Sequence, residues 1–268
     1  MSDSPPLYTL EQALANLQQT EDTSARYYAA WWLGHCRSQD VRALESLVLA
    51  LEDETDRSPD GGYPLRRNAA KALGKLGYPQ AVPPLISALD CDDYYVREAA
   101  ARALGDLQDA RAIAPLTALL AGGVAEAQTA PDKPHLLQPY EAILEALGSL
   151  GAVETIAEIE PFLTHFAPKV QYAAARALYQ LTLNPQYGDR LIQALQGPEL
   201  QLRRSALMDL GAAGYLPGAT AIAQTFTENS LKLIALRDLW QAHRRRCPEE
   251  ALLSQTSRDI LALMDDLL

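Results

Sequence analysis

The segments RRNAAKALGKLG (residues 66–77) and REAAARALGDLQ (residues 97–108) decide the fold. They share the pattern R-x-x-A-A-x-x-L-G-x-L, and a motif that recurs at a fixed interval is the mark of a stacked-repeat architecture. Further, more degraded copies read RYYAAWWLGHCR (26–37), YEAILEALGSLG (140–151), QYAAARALYQLT (171–182), RRSALMDLGAAG (203–214) and KLIALRDLW (232–240). Their pattern leucines, Leu33, Leu73, Leu104, Leu147, Leu178, Leu210 and Leu239, follow one another at about 31 residues except at two longer intervals. The extra residues fall at 52–64 and 121–139, stretches rich in Pro, Gly and small residues, which are expected to be mobile loops.

Each copy leads into a second apolar-periodic stretch: AVPPLISAL (81–89), AIAPLTALL (112–120), TIAEIEPFL (155–163) and RLIQAL (190–195). Alanine and leucine dominate and apolar residues recur three and four apart, so both stretches read as helices. The pairs Ala69-Ala70 and Ala100-Ala101 allow close approach of neighbouring helices. Gly74, Gly105, Gly148 and Gly211 are read as turn glycines at first-helix ends. Pro83, Pro84 and Pro115 fit the first turn of second helices, where a missing N–H costs little. Asp92 and Asp93 precede a first helix and suit its positive end. The expected fold is all-α, a HEAT-like helical-repeat solenoid winding as a curved right-handed superhelix. It forms one domain over 1–268, with repeats beginning near 26, 66, 97, 140, 171, 203 and 232. A helix from Glu249 to Leu268 is expected to close the stack.

Composition narrows the function. A formal net charge of -11 repels polyphosphate and argues against nucleic acid. The only basic run is Arg244-Arg245-Arg246, read as a solvated helix end. No apolar run reaches the ~20 residues of a membrane span and no signal peptide is visible, so a cytoplasmic protein is expected. Cys36, Cys91 and Cys247 are odd in number and far apart, which speaks against disulfides. Phosphate loops, dinucleotide fingerprints and nucleophile elbows are missing. The histidines His35, His135, His165 and His243 form no metal-ligand set, and His243 with Cys247 four residues on is no more than a pair. Acidic residues at repeat ends, Asp90, Asp92, Asp93, Glu98 and Asp106, read as caps and solubilising groups that as a set suit a cationic or pyrrolic ligand.

The anomaly lies in the first copy. In RYYAAWWLGHC, Tyr27 stands where its sister copies carry Arg67, Glu98, Glu141, Tyr172 and Arg204. Trp31 stands where they carry Lys71, Arg102, Glu145, Arg176 and Met208. These are mostly solvated positions, so Tyr27 and Trp31, four apart, are expected to face outward on one side of a helix. Tyr28 and Trp32 replace small residues and enlarge or spill from a helix contact. Exposure of such rings exceeds what a monomer usually leaves bare. Either the segment Leu7–Leu17 folds over them or a flat ligand or partner rests on them.

The string YYAAWWLG, set in Ala-Leu-Gly repeats, resembles the E-type subunits of cyanobacterial phycobilin lyases, and the resemblance runs from Tyr8 through the last repeat. It implies a heterodimer with an F-type HEAT-repeat subunit that binds phycocyanobilin, an open-chain tetrapyrrole, as substrate. The bilin would be attached through a thioether to a cysteine of the apo-phycocyanin α subunit, without a prosthetic group or metal. The implied bilin contacts are Arg26, for a propionate, and Tyr27, Tyr28, Trp31 and Trp32, for the pyrrole rings. His35 is a candidate general acid, otherwise a helix-end residue favoured by the dipole. Cys36 is a transient carrier or, more simply, a small buried filler. A non-catalytic interaction scaffold and a lyase subunit for phycoerythrocyanin or phycoerythrin are the competing readings.

Overall fold

The computed structural model describes residues 8–246 and 254–268, and their regular structure is helical apart from one antiparallel bridge between Thr129 and Leu136. The chain divides into two compact units, the first running to Ala121 and resuming over Ala127–Ala146, the second comprising Gly122–Glu126 and Leu147–Leu268. Helices α1 (Leu10–Gln18), α2 (Thr23–His35), α3 (Val41–Leu51), α4 (Pro64–Leu76), α5 (Val82–Ser87), α6 (Tyr94–Leu107) and α7 (Ile113–Ala118) lie in the first unit. The short α8 (Gly123–Glu126) belongs to the second, and α9 (Tyr140–Leu150) contributes to both. The second unit continues with α10 (Ile156–Ile159), α11 (Pro168–Thr182), α12 (Pro185–Ala194), α13 (Leu200–Ala213), α14 (Ala219–Gln224), α15 (Asn229–Arg246) and α16 (Gln255–Asp265). No helix among the described residues is long and apolar enough to cross a membrane.

Helices α2, α4, α6, α9, α11, α13 and α15 carry the pattern, and shorter helices follow most of them. Four of these, α5, α7, α10 and α14, are entered through a 3-10 turn, at Pro79–Ala81, Ala110–Ala112, Val153–Thr155 and Leu216–Gly218. Asp93 caps α6, its carboxylate accepting the Tyr95 N–H at 2.8 Å. The pattern leucines Leu33, Leu73 and Leu104 and the alanine pairs beside them are wholly buried.

The pattern glycines do something other than turn the chain. They sit inside their helices with helical φ, and the left-handed position falls three residues later, at Gly77, Gln108, Gly151 and Gly214. A Cβ on Gly34 would lie 2.7 Å from Ala72 Cα, one on Gly74 2.8 Å from Ala103 Cα, and one on Gly105 3.0 Å from Ala146 Cα. In the second unit a Cβ on Gly148 would meet Ala177 Cα at 2.7 Å. The motif glycine is therefore the contact at which one first helix seats on the next, in the same register each time. Gly74→Ala should cost about 1–3 kcal/mol through overpacking, read as a lowered midpoint in chemical denaturation, although alanine is the better helix former.

The pattern arginine is a loop staple. Arg66 donates to the carbonyls of Asp53 (2.6 Å) and Glu52 (3.1 Å), and Arg97 to those of Cys91 (2.6 Å) and Leu137 (2.8 Å). Arg203 donates to Gly197 and Pro198, both at 2.8 Å, and to Phe226 at 3.2 Å, while Gln171 donates to His165 at 2.6 Å. Each satisfies carbonyls that irregular backbone would otherwise leave bare.

Both insertions carry local contacts of their own. In the first, the Asp53 carboxylate accepts the N–H groups of Thr55 and Asp56, and Asp56 accepts the Leu65 N–H at the start of α4 at 3.1 Å. The Arg57 and Arg66 guanidinium groups lie 3.8 and 4.1 Å from the Tyr63 ring centroid. The second contains α8 and the Thr129–Leu136 bridge, and its His135 stacks on Tyr94 at 4.2 Å. The closing helix is shorter than expected, Gln255–Asp265, and packs on α14 and α15. Residues 249–253 of that expectation, like Leu7 and Cys247, lie outside the described residues.

Candidate functional site

Helix α2 is capped by Asp22, whose carboxylate accepts the Ala25 N–H at 2.9 Å, and ends at His35. Along it runs an aromatic ladder. Tyr8 meets Tyr28 edge-on at 4.9 Å, Tyr28 stacks on Trp31 at 5.4 Å, and Trp31 stacks on His35 at 4.7 Å with 13° between planes. Tyr27 and Trp31 are 40% and 39% exposed, as their alignment with charged positions implies, while Tyr28 and Trp32 are half-buried. The N-terminal segment packs against α2 through α1 and reaches the ladder with Tyr8. It leaves Tyr27, Trp31 and His35 open to a ligand.

Two expectations for this segment need correction. Arg26 is buried, and its guanidinium donates to Asp53 (2.6 Å), Thr55 (3.0 Å) and the Leu17 carbonyl (3.3 Å). It occupies the staple position of the repeat, so it ties α2 to the following loop and is not presented to a ligand. Cys36 is exposed at the end of α2, not buried as filler.

The same face continues on the next helices. Because Gly34 seats on Ala72, Gly74 on Ala103 and Gly105 on Ala146, equivalent positions of α2, α4, α6 and α9 line up in a row. Beside Tyr27 and Trp31 the row carries Arg67 and Lys71, then Glu98 and Arg102, then Glu141 and Glu145. Arg102 is spoken for, at 2.5 Å from Glu145 and 3.4 Å from Glu98. Among the described residues, Arg67 and Lys71 form no ion pair; Arg67 instead lies over the exposed Tyr95 ring, 5.5 Å from its centroid. Partial desolvation, then the charges of Arg67, Arg102 and Lys75 against the opposing pull of Glu98, push the Lys71 ammonium below the usual lysine range. A cation so placed gains from an anion brought beside it.

In the sequence Arg67 and Lys71 read only as solvated counterparts of Tyr27 and Trp31, and Tyr95 carries no signal of its own. The available signal was four cations, Arg66, Arg67, Lys71 and Lys75, on the copy of the motif next to the aromatic one, in a chain of net charge -11. Of the His243–Cys247 pair, Cys247 lies outside the described residues. Among the described residues no cluster of His, Cys, Asp and Glu is arranged to hold a metal.

Comparison with known proteins defines the class first. The HEAT-repeat model matches residues 58–130 and the PBS lyase HEAT-like repeat model matches 25–53 and 170–197, so this is a HEAT-like repeat protein. The chain is 70% identical over 265 residues to the phycocyanobilin lyase subunit alpha of Synechocystis sp. (strain ATCC 27184 / PCC 6803 / Kazusa), covering 98% of this chain and 97% of that one. It is 44% identical over 239 residues to the bilin biosynthesis protein PecE of Nostoc sp., covering 88% of each. Among solved structures, the complex of CpcE and CpcF of phycocyanin lyase from Nostoc sp. PCC7120 contains a chain 53% identical to it. The TM-score is 0.90, covering 100% of this chain and 98% of that one. The chain belongs to the E-type (alpha) subunit family of the phycobilin lyases.

Proposed function

We infer that this chain is the E-type half of a heterodimeric bilin lyase, working in the cytoplasm with an F-type HEAT-repeat partner. The pair binds phycocyanobilin as substrate and attaches it to a cysteine of the apo-phycocyanin α subunit. The observation that carries this reading is the open aromatic face of α2, with Tyr27, Trp31 and His35 exposed in a family of bilin lyases.

The chemistry asks little of the chain beyond placement. The acceptor sulfur bonds to the exocyclic ethylidene carbon of ring A, and the ring carbon of that double bond gains a proton in place of the one lost by the thiol. Holding the bilin extended and its ring A carbon against the thiol lowers the barrier by up to several kcal/mol. Rings of Tyr27 and Trp31 supply flat faces for pyrroles, with Tyr28 stacked on Trp31 and Trp32 half-buried on the same helix. His35, stacked on Trp31, is the candidate general acid beside that face.

Reconstitution tests the reading. The chain, an F-type subunit, phycocyanobilin and apo-phycocyanin α subunit should yield a covalent adduct, by bilin staining after denaturing electrophoresis and by red fluorescence. Formation should be faster than in the same mixture lacking this chain. Adducts only with phycoerythrocyanin or phycoerythrin acceptors would reassign the acceptor, and no acceleration with any of them would reduce the chain to an interaction scaffold.

A further inference from the structure

Among the described residues Arg67, Lys71 and Lys75 of α4 form no ion pair, whereas on the same row Arg102 is held by two carboxylates, and Arg67 and Lys71 are the two that align with Tyr27 and Trp31. Accessible and without a carboxylate at ion-pair distance, these two cations lie beside the aromatic face where an anionic ligand could pair with them. We propose that Arg67 and Lys71 hold the two propionate carboxylates of a bilin whose pyrrole rings lie on the Tyr27–Trp31 face. The proposal rests on the bilin reading above.

The geometry suits that ligand. Residues four apart on a helix have Cβ atoms about 5–6 Å apart, and the two propionates are carried on the neighbouring central rings of the tetrapyrrole. Tyr95 under the Arg67 guanidinium limits its swing and leaves the fork free to take a carboxylate. Lys71 is exposed and supplies a mobile point charge for the second. The seating of Gly34 on Ala72 places α4 directly beside the aromatic helix, so one ligand can reach both. Arg26 offers no alternative, since its donors are consumed inside the fold.

Phycocyanobilin and its dimethyl ester, which lacks both negative charges, separate this clamp from ring stacking. Titrated by absorbance into the full chain mixed with its F-type partner, the free acid should bind at least about tenfold more tightly than the ester. In R67Q/K71Q the free acid should weaken to the level of the ester while ester binding is unchanged, and R67K/K71R should recover much of the preference. K71Q alone, at an exposed side chain, provides a second variant if the double one loses its helical circular dichroism, and should lose part of the preference. The clamp is refuted if the wild type binds acid and ester alike, or if a folded variant keeps the full preference or weakens both ligands equally. A wild type that binds neither form removes the bilin reading itself, and the clamp with it.

Discussion

Replacing Tyr27 and Trp31 together by alanine is expected to abolish bilin transfer, a fall of at least about a hundredfold, with the helical circular dichroism intact. Both rings lie on the exposed side of α2, so their removal opens no cavity in the core. Alanine is the better helix former at both positions. The structural loss is confined to the stacking of Trp31 on Tyr28 and His35, about 0.5–1.5 kcal/mol for such pairs. The functional loss is expected to be larger, because on the proposed reading these rings are the flat surface that takes the extended tetrapyrrole. The reconstitution assay above reads the outcome, and retained transfer in a folded double variant would place the bilin on another face.

The second large effect concerns stability. Arg26 and Asp53 form a pair 2.6 Å apart with side chains only 6% and 12% exposed. Removing one partner strands the other, so Asp53→Ala should cost about 3–5 kcal/mol, measured as a loss of denaturation free energy. Acid should expose the same contact. Burial pushes the Asp53 carboxyl up, but the Arg26 guanidinium, the Asp56 N–H and the Thr55 hydroxyl together hold it at about 2. That lies below its unfolded value of about 3.9. The stabilisation is therefore complete above about pH 4 and fades as the pH falls toward 2. In Asp53→Asn this part of the acid dependence should be gone.

Most of the repeat architecture could be read because it is written in local period: alanine and leucine three and four apart, prolines in first turns, aspartates before helices. The outward rings Tyr27 and Trp31 were readable for a related reason, since sister copies reveal what each position faces. What escaped depended on contacts distant in sequence. Gly74 reads as a turn residue until Ala103 is seen against it, 29 positions on in the chain. Arg26 reads as a ligand arginine until Asp53 closes on it, although its alignment with Arg66, Arg97 and Arg203 already marked it as a repeat-wide fixture. The pair Arg67 and Lys71 gains meaning only from what is missing beside it, and an absent partner leaves no trace in a one-dimensional pattern.

The staple arginines have an evolutionary corollary. Arg203 grips carbonyl oxygens of Gly197, Pro198 and Phe226, and every residue type offers a carbonyl. The lettering of these loops is thus uncoupled from their shape: the Phe226 ring, 88% exposed, contributes almost nothing to the bend that carries it. Each loop held in this way is a place where selection can rewrite side chains without renegotiating the frame beneath.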